Sequence, residues 1–220
     1  LLILVLATIT FVVFIERAQR RLLVQYPKRQ VGNKMFGGDN SHLPLKLNTS
    51  GVIPAIFASS LLLMPITIAN FSSGQGPDWV NSVTTLLGRG QPLYMIIYAS
   101  LIVFFCYFYT AIVFNPEDTA DNLKKQGGFI PGIRPGERTA EYIDYVLTRL
   151  TVVGSIYLVL VCLLPEFLIS RFAVPFYFGG TSVLIIVNVA MDTMTQFQGY
   201  LFAHQYEGLL KKSKLGSRKR

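Results

Sequence analysis

Asn188, Asp192, Thr195 and Gln196 fall within about 80° of Ile185 when residues are set at about 100° each, and they do so inside an apolar run. Amides and a carboxylate at this helical spacing put hydrogen-bonding groups along one face. Asp192 reads as the one acidic or basic residue buried in sequence within such a run. An ionisable group there costs on the order of 3 kcal/mol on insertion scales, so it faces a bundle interior or a wet cavity. The stripe Asn188, Asp192, Gln196, with Ile185 at its outer end, is either the wall of a wet path narrowed by an apolar collar or a helix–helix hydrogen-bonding seam.

A second pattern lies around Ile56. On the same wheel Thr49, Val52, Ser59, Ser60, Leu63 and Thr67 lie within about 60° of it. Pro54 and Pro65 in the same run leave carbonyls unpaired, which membranes tolerate where neighbouring helices, hydroxyls or water bond them. This face is expected to meet protein or water, with tight packing through small residues as the other account.

Other chemistry is absent from the sequence. It contains no Gly-rich phosphate loop, nucleophile elbow or paired intramembrane carboxylates. Cys106 and Cys162 sit inside apolar runs as small hydrophobes, and His42 and His204 lie far apart in polar flanks. We therefore expect no enzyme, no cofactor and no metal site. One intramembrane Asp is thin for an ion-coupled transporter. Half of a solute transporter and a membrane-anchored docking protein stand as alternatives to a conducting channel.

The elements that would position these residues are membrane spans. Of 220 residues, 51% are hydrophobic and only 15% charged, a membrane composition. Apolar runs at residues 1–15, 51–71, 93–114, 150–170 and 181–203 are mostly near the roughly 20 residues that a crossing helix needs. The first begins with Leu and carries no charged n-region, so we read it as a truncated helix of a longer parent. Between the spans lie residues 16–50, 72–92, 115–149 and 171–180, with 204–220 as the tail. The net charge of +8 alternates by loop. Lys and Arg crowd 16–50, 115–149 and 204–220, while 72–92 and 171–180 carry one Arg each, Arg89 and Arg171. The positive-inside rule makes the basic regions, including the C-terminus, cytoplasmic.

Two of these cytoplasmic regions have shape. The turn residues at Val31-Gly32-Asn33-Lys34 and the cluster Gly37-Gly38-Asp39-Asn40 suggest a basic hairpin-like projection. It would meet lipid headgroups or an acidic partner such as RNA phosphate. In 115–149 the glycines and prolines from Gly127 to Gly136 predict a tightly specified turn structure.

The chain resembles the SecY family in its bacterial form, the central subunit of the protein-secretion channel. The resemblance rests on Glu16-Arg17-Ala18-Gln19-Arg20-Arg21, His42-Leu43-Pro44-Leu45-Lys46, the run from Gly51 to Ser60, and Phe114-Asn115-Pro116 with Thr119 to Lys125. Ile130 to Gly136, Thr148-Arg149-Leu150-Thr151 and Pro175 to Ser182 extend it over the whole chain. It implies an all-α polytopic membrane protein whose five transmembrane helices, six to ten of the parent, form one half of a pseudo-symmetric ten-helix channel. Secretory polypeptides would pass through the bacterial inner membrane, driven by the ribosome or the SecA ATPase. Signal peptides and nascent membrane helices would leave toward lipid by a lateral gate, and SecE and SecG would be the small partner subunits. Residue by residue, Ile56 and Ile185 match the apolar pore ring. Asn48, Ser60 and Met64 match the lateral gate. Arg17, Arg20, Arg21, Arg29, Lys34 and Arg134 match the ribosome and SecA docking loops. Two positions depart from the family's pattern: Asn33-Lys34 stands where an Arg pair is common, and Met64 where an aromatic residue is common.

Overall fold

The computed structural model describes residues 2–27, 29–31, 34–36, 40–71, 82, 85–88, 91–172 and 179–217. In chain order these form α1 (Leu2–Arg17), β1 (Gln19–Gln25), β2 (Arg29–Val31), β3 (Lys34–Phe36), β4 (Asn40–Lys46) and α2 (Ile53–Phe71). There follow α3 (Pro92–Val113), α4 (Pro116–Lys125), α5 (Glu137–Phe172) and α6 (Gly180–Ser217). The described part of each of the five apolar runs lies largely on a helix. Two helical stretches among the described residues, Pro92–Lys125 and Glu137–Phe172, are long and apolar enough to cross a membrane, and Ile53–Ile68 is a shorter apolar helix.

The all-α expectation needs one correction. The first basic region is a β-hairpin, with β1 and β4 antiparallel from Gln19↔Lys46 to Gln25↔Asn40, and β2 paired to β3 from Arg29↔Phe36 to Val31↔Lys34. Its basis is a period of two: Leu22 and Val24 on β1 and Leu45 on β4 are buried, while Arg21, Leu23 and Pro44 between them are exposed. Gly32, Asn33 and 37–39, expected at its turns, lie outside the described residues, as do Arg89, most of 72–92, and 173–178.

The polar region 115–149 is also more ordered than a loop. Asn115 caps α4, its side chain accepting from Glu117 N at 3.1 Å, and Pro116 takes the first helical position. Glu117 and Asp118 in the first turn and Lys124 and Lys125 in the last complement the helix dipole. Beyond Gln126 the chain closes the helix with Gly128 N to Leu123 O at 2.9 Å and Gly127 N to Lys124 O at 3.1 Å, the paired bonds of a glycine-terminated end. Ile130 to Ile133 then forms a turn, Ile133 N to Ile130 O at 3.1 Å. Pro131 and Gly132 hold its central positions, and Gly132 has φ 83°, a value that side-chain-bearing residues resist.

Helix α5 starts at Glu137, well before the expected boundary at residue 150. Its 36 residues span about 54 Å, more than a bilayer core. Helix α6 likewise runs 38 residues, past the expected end at 203. No proline falls in either polar extension, so both helices continue past their apolar runs. Pro165 lies inside α5 and takes away the hydrogen bond to the Val161 carbonyl. Helix α6 begins there: a Cβ added to Gly180 would lie 2.6 Å from Val161 O.

Two cores result. One joins α1, α2, α3, α5 and α6 through Val12, Ala55, Ala58, Ile102, Leu158 and Leu184, among others. The other lies under the basic regions, where Leu22, Val24 and Leu45 of the hairpin meet Leu123, Ile130 and Ile143. Packing runs from α2 to α3, α3 to α5, α5 to α6 and α6 to α1.

Candidate functional site

Helix α2 buries one face and leaves another free. Ala55, Ala58 and Leu62 are within the core, and the two alanines let α2 approach α3 closely, with Phe57 stacked on Phe105 at 5.7 Å. Ile56, Ser60 and Met64 recur every four residues on another face, Ile56 being 40% and Met64 63% exposed. The predicted wheel needs trimming here. The helix begins at Ile53, so Thr49 and Val52 are not on it, and Val52 is buried. Pro54, in the first turn, removes no internal bond; only Pro65 does. The hydroxyls of Ser59 and Ser60 both donate to Ile56 O, at 2.9 and 2.8 Å, so they bond within the helix.

Helix α6 is arranged similarly. Leu184 and Val187 enter the core, whereas Ile185 is 40% exposed, Asn188 half-buried, and Asp192 and Gln196 exposed. Thr195 donates to Met191 O at 2.9 Å. Both apolar ring candidates thus remain 40% exposed among the described residues, beside the faces that enter the core.

Asp192 is not the only acidic group inside an apolar run, which corrects the sequence reading. Glu166 follows Pro165 in α5, is 8% exposed, and has one carboxylate oxygen without a hydrogen-bond partner among the described residues. The signal was visible as a Pro-Glu pair inside Leu163-Leu164-Pro165-Glu166-Phe167-Leu168.

Of the three gate candidates, Ser60 and Met64 share a face and Asn48 does not. Asn48 is buried at the joint between α1, α2 and α5, and its amide is fully used. Its Nδ2 donates to Glu16 Oε1 at 2.7 Å and to Gly51 O at 3.1 Å, and its Oδ1 accepts from Ser50 Oγ at 3.1 Å. Tyr157 OH of α5 also donates to Glu16 Oε1, at 3.4 Å, and Ser50 Oγ reaches Cys106 Sγ of α3 at 3.6 Å. The backbone fits because α5 has Gly154 at the crossing: a Cβ there would lie 2.9 Å from Leu47 O. Glu16 lies just past the apolar run of α1, and burial holds its carboxyl above the ordinary carboxylate range. Asn48, Tyr157 and Lys46 pull the other way, and Asp192 adds to the rise. Sequence reading gave Glu16 no role beyond its motif.

Four of the docking candidates, Arg17, Arg20, Arg21 and Arg134, flank one packed body, and Arg29 and Lys34 lie on the separate β2–β3 pair. Arg17 ends α1, Arg20 and Arg21 open β1, and all three are exposed; Arg29 and Lys34 lie on β2 and β3. Arg134 is exposed at the glycine-rich tip, where its carbonyl accepts from the buried Thr139 Oγ1 at 3.0 Å. Gln25 and Phe129 exchange both backbone hydrogen bonds at 2.9 Å, joining the hairpin to the second region. Bonded and sharing a core, the two basic regions form one platform. That link joins residues 104 apart, a pairing no local pattern announces.

Comparison with known proteins bears on what such an arrangement does. A family model described as SecY matches residues 1–194. The protein translocase subunit SecY of Rickettsia bellii (strain RML369-C) is 59% identical over 211 residues, covering 96% of this chain and 48% of the relative. The subunit of the same name from Escherichia coli (strain K12) is 58% identical over 214 residues, covering 97% and 48%. The chain thus spans about half the length of the curated relatives it matches. Among solved structures, a SecY channel studied for how its plug domain stabilises the closed state is similar with a TM-score of 0.61 at 19% identity, covering 89% of this chain and 48% of that one. The structure of a protein-conducting channel is similar with a TM-score of 0.60 at 20% identity, covering 87% and 46%. At those identities the likeness speaks to the fold.

Proposed function

The chain belongs to the SecY family, and on that premise we propose that it forms one half, helices six to ten, of the pore-forming subunit of a bacterial protein translocon. Five transmembrane helices make half of a pseudo-symmetric ten-helix channel in the inner membrane, with the C-terminus in the cytoplasm. The channel passes unfolded secretory polypeptides, and signal peptides and membrane helices leave toward lipid through a lateral gate along α2. It carries out no chemistry of its own. The ribosome or the SecA ATPase supplies the work at the platform of Arg17, Arg20, Arg21, Arg29, Lys34 and Arg134, and SecE and SecG complete the assembly.

The match over residues 1–194 carries this reading. The free faces of α2 and α6 support its finer part. Ile56 and Ile185 are partly exposed apolar side chains, and Asn188 and Asp192 continue the α6 face as a polar stripe. Such a pairing suits a constriction that closes by dewetting and opens into a wet vestibule. A signal peptide would choose lipid over that path by burying apolar surface, at roughly 25 cal/mol per Å².

The test replaces Ile56 or Ile185 by Asn in the intact protein. An amide in the ring removes about 1.5 kcal/mol of apolar closure, so export of a precursor with a defective signal rises roughly tenfold. Unchanged export in both variants, at normal protein level, removes the ring assignment.

A further inference from the structure

Helix α2 enters its first turn through Asn48-Thr49-Ser50-Gly51, and Gly51 has φ 66°, a left-handed value beside open space. This short connection is the one covalent joint between α2 and the platform. It is clamped from three directions. Glu16 at the end of α1 accepts from Asn48 at 2.7 Å, Tyr157 of α5 holds the same carboxylate oxygen at 3.4 Å, and Ser50 reaches Cys106 of α3 at 3.6 Å. The hairpin makes the first contact possible by returning the chain beside its own start, with Leu47 N bonded to Ala18 O at 3.1 Å.

We propose that Glu16 is a positioning residue for gating: its carboxylate fixes Asn48 and so pins the hinge at which α2 joins its own half of the channel. The inference rests on the reading of α2 as the gate helix. Asn48 spends both amide hydrogens inside this half, on Glu16 and on Gly51 O. While that clamp holds, the near end of α2 stays at the joint with α1 and α5, and α2 opens by swinging its far end. Without it the near end of α2 keeps its packing on α3 but loses its tie to α1, and the gate opens for substrates that a clamped hinge rejects. Lys46 from β4 and Asp192 from α6 are the charged groups that act on Glu16 from the neighbouring elements.

The experiment uses the intact protein in cells, with export of a precursor carrying a defective signal as readout and export of the normal precursor and protein level as controls. Losing one hydrogen bond to a charged group corresponds to about tenfold. Glu16→Ala and Asn48→Ala are each expected to raise defective-signal export at least that much, and the double variant clearly less than the product of the two, because both remove the Glu16–Asn48 contact while each also loses bonds of its own. Glu16→Gln keeps an accepting oxygen and stays near the parent level. If Glu16→Ala does not accumulate, Asn48→Ala against Glu16→Gln carries the same contrast. Additive effects in the double variant, parent-like export by Asn48→Ala, or a Glu16→Gln as permissive as Asn48→Ala overturns the proposal. Ile56→Asn, run alongside, separates the cases: if it acts and the Glu16 and Asn48 variants do not, the clamp fails and the channel reading stands; if Ile56→Asn is silent, that reading fails first.

Discussion

Gly128→Val tests whether the two basic regions move as one body. Gly128 sits beside the Gln25–Phe129 bridge, and a Cβ added there would lie 3.0 Å from Tyr26 Cε1 and 3.0 Å from Val24 Cγ1. Its φ is outside the left-handed range, so crowding alone decides the outcome. One methyl asks those side chains to give by a few tenths of an ångström, and Gly128→Ala is expected to cost under about 1 kcal/mol. Valine adds two methyls where Val24 is 3% exposed and has no room to retreat. The two bonds at 2.9 Å then part, and at about 1 kcal/mol each their loss is about 2 kcal/mol. Hydrogen exchange on the intact protein in detergent reads this directly: the Gln25 and Phe129 amides exchange about thirtyfold faster, while α5 amides around Leu158 keep their protection. Unchanged protection at both bridge amides in a folded Gly128→Val protein refutes the single platform.

Arg134→Glu reverses the charge at the exposed tip without touching the carbonyl that Thr139 holds. Motor-driven export is expected to stop at normal protein level, and a normal export rate in vesicles would dispose of the docking role. The raised Glu16 carboxyl makes stability fall with rising pH: the folded state still holds a proton where the unfolded chain has released it, so stability is lost as pH climbs from the ordinary carboxylate value through the folded one. Thermal unfolding of purified protein across that window is expected to show this slope, and Glu16→Gln to flatten it; an identical slope in both proteins excludes Glu16 as its source.

The apolar helices and the glycine turn were legible because each is written locally. Apolar runs announced α1, α2, α3, α5 and α6, and Pro131-Gly132 announced the turn beneath Arg134. Helix ends were less legible, since α5 and α6 continue through polar sequence that no cap interrupts. What joins distant segments was not legible at all. The Asn48–Glu16 contact depends on a hairpin bringing residues 32 apart together, and a wheel that assumed a helix from Thr49 onward placed Asn48's neighbourhood on the wrong surface. Glu166 was missed for a plainer reason, its apolar neighbours.

The unbroken length of α5 has a mechanical consequence. A push delivered at the tip near Arg134 would travel along a single helix of about 54 Å. The helix's weak section is the rung at Val161 left open by Pro165, and the first residue of α6 is braced against that rung. Bending of α5 there would be felt by α6 before any other helix, and Gly180→Ala, by wedging the brace, would stiffen or jam that coupling far from the point where the load enters.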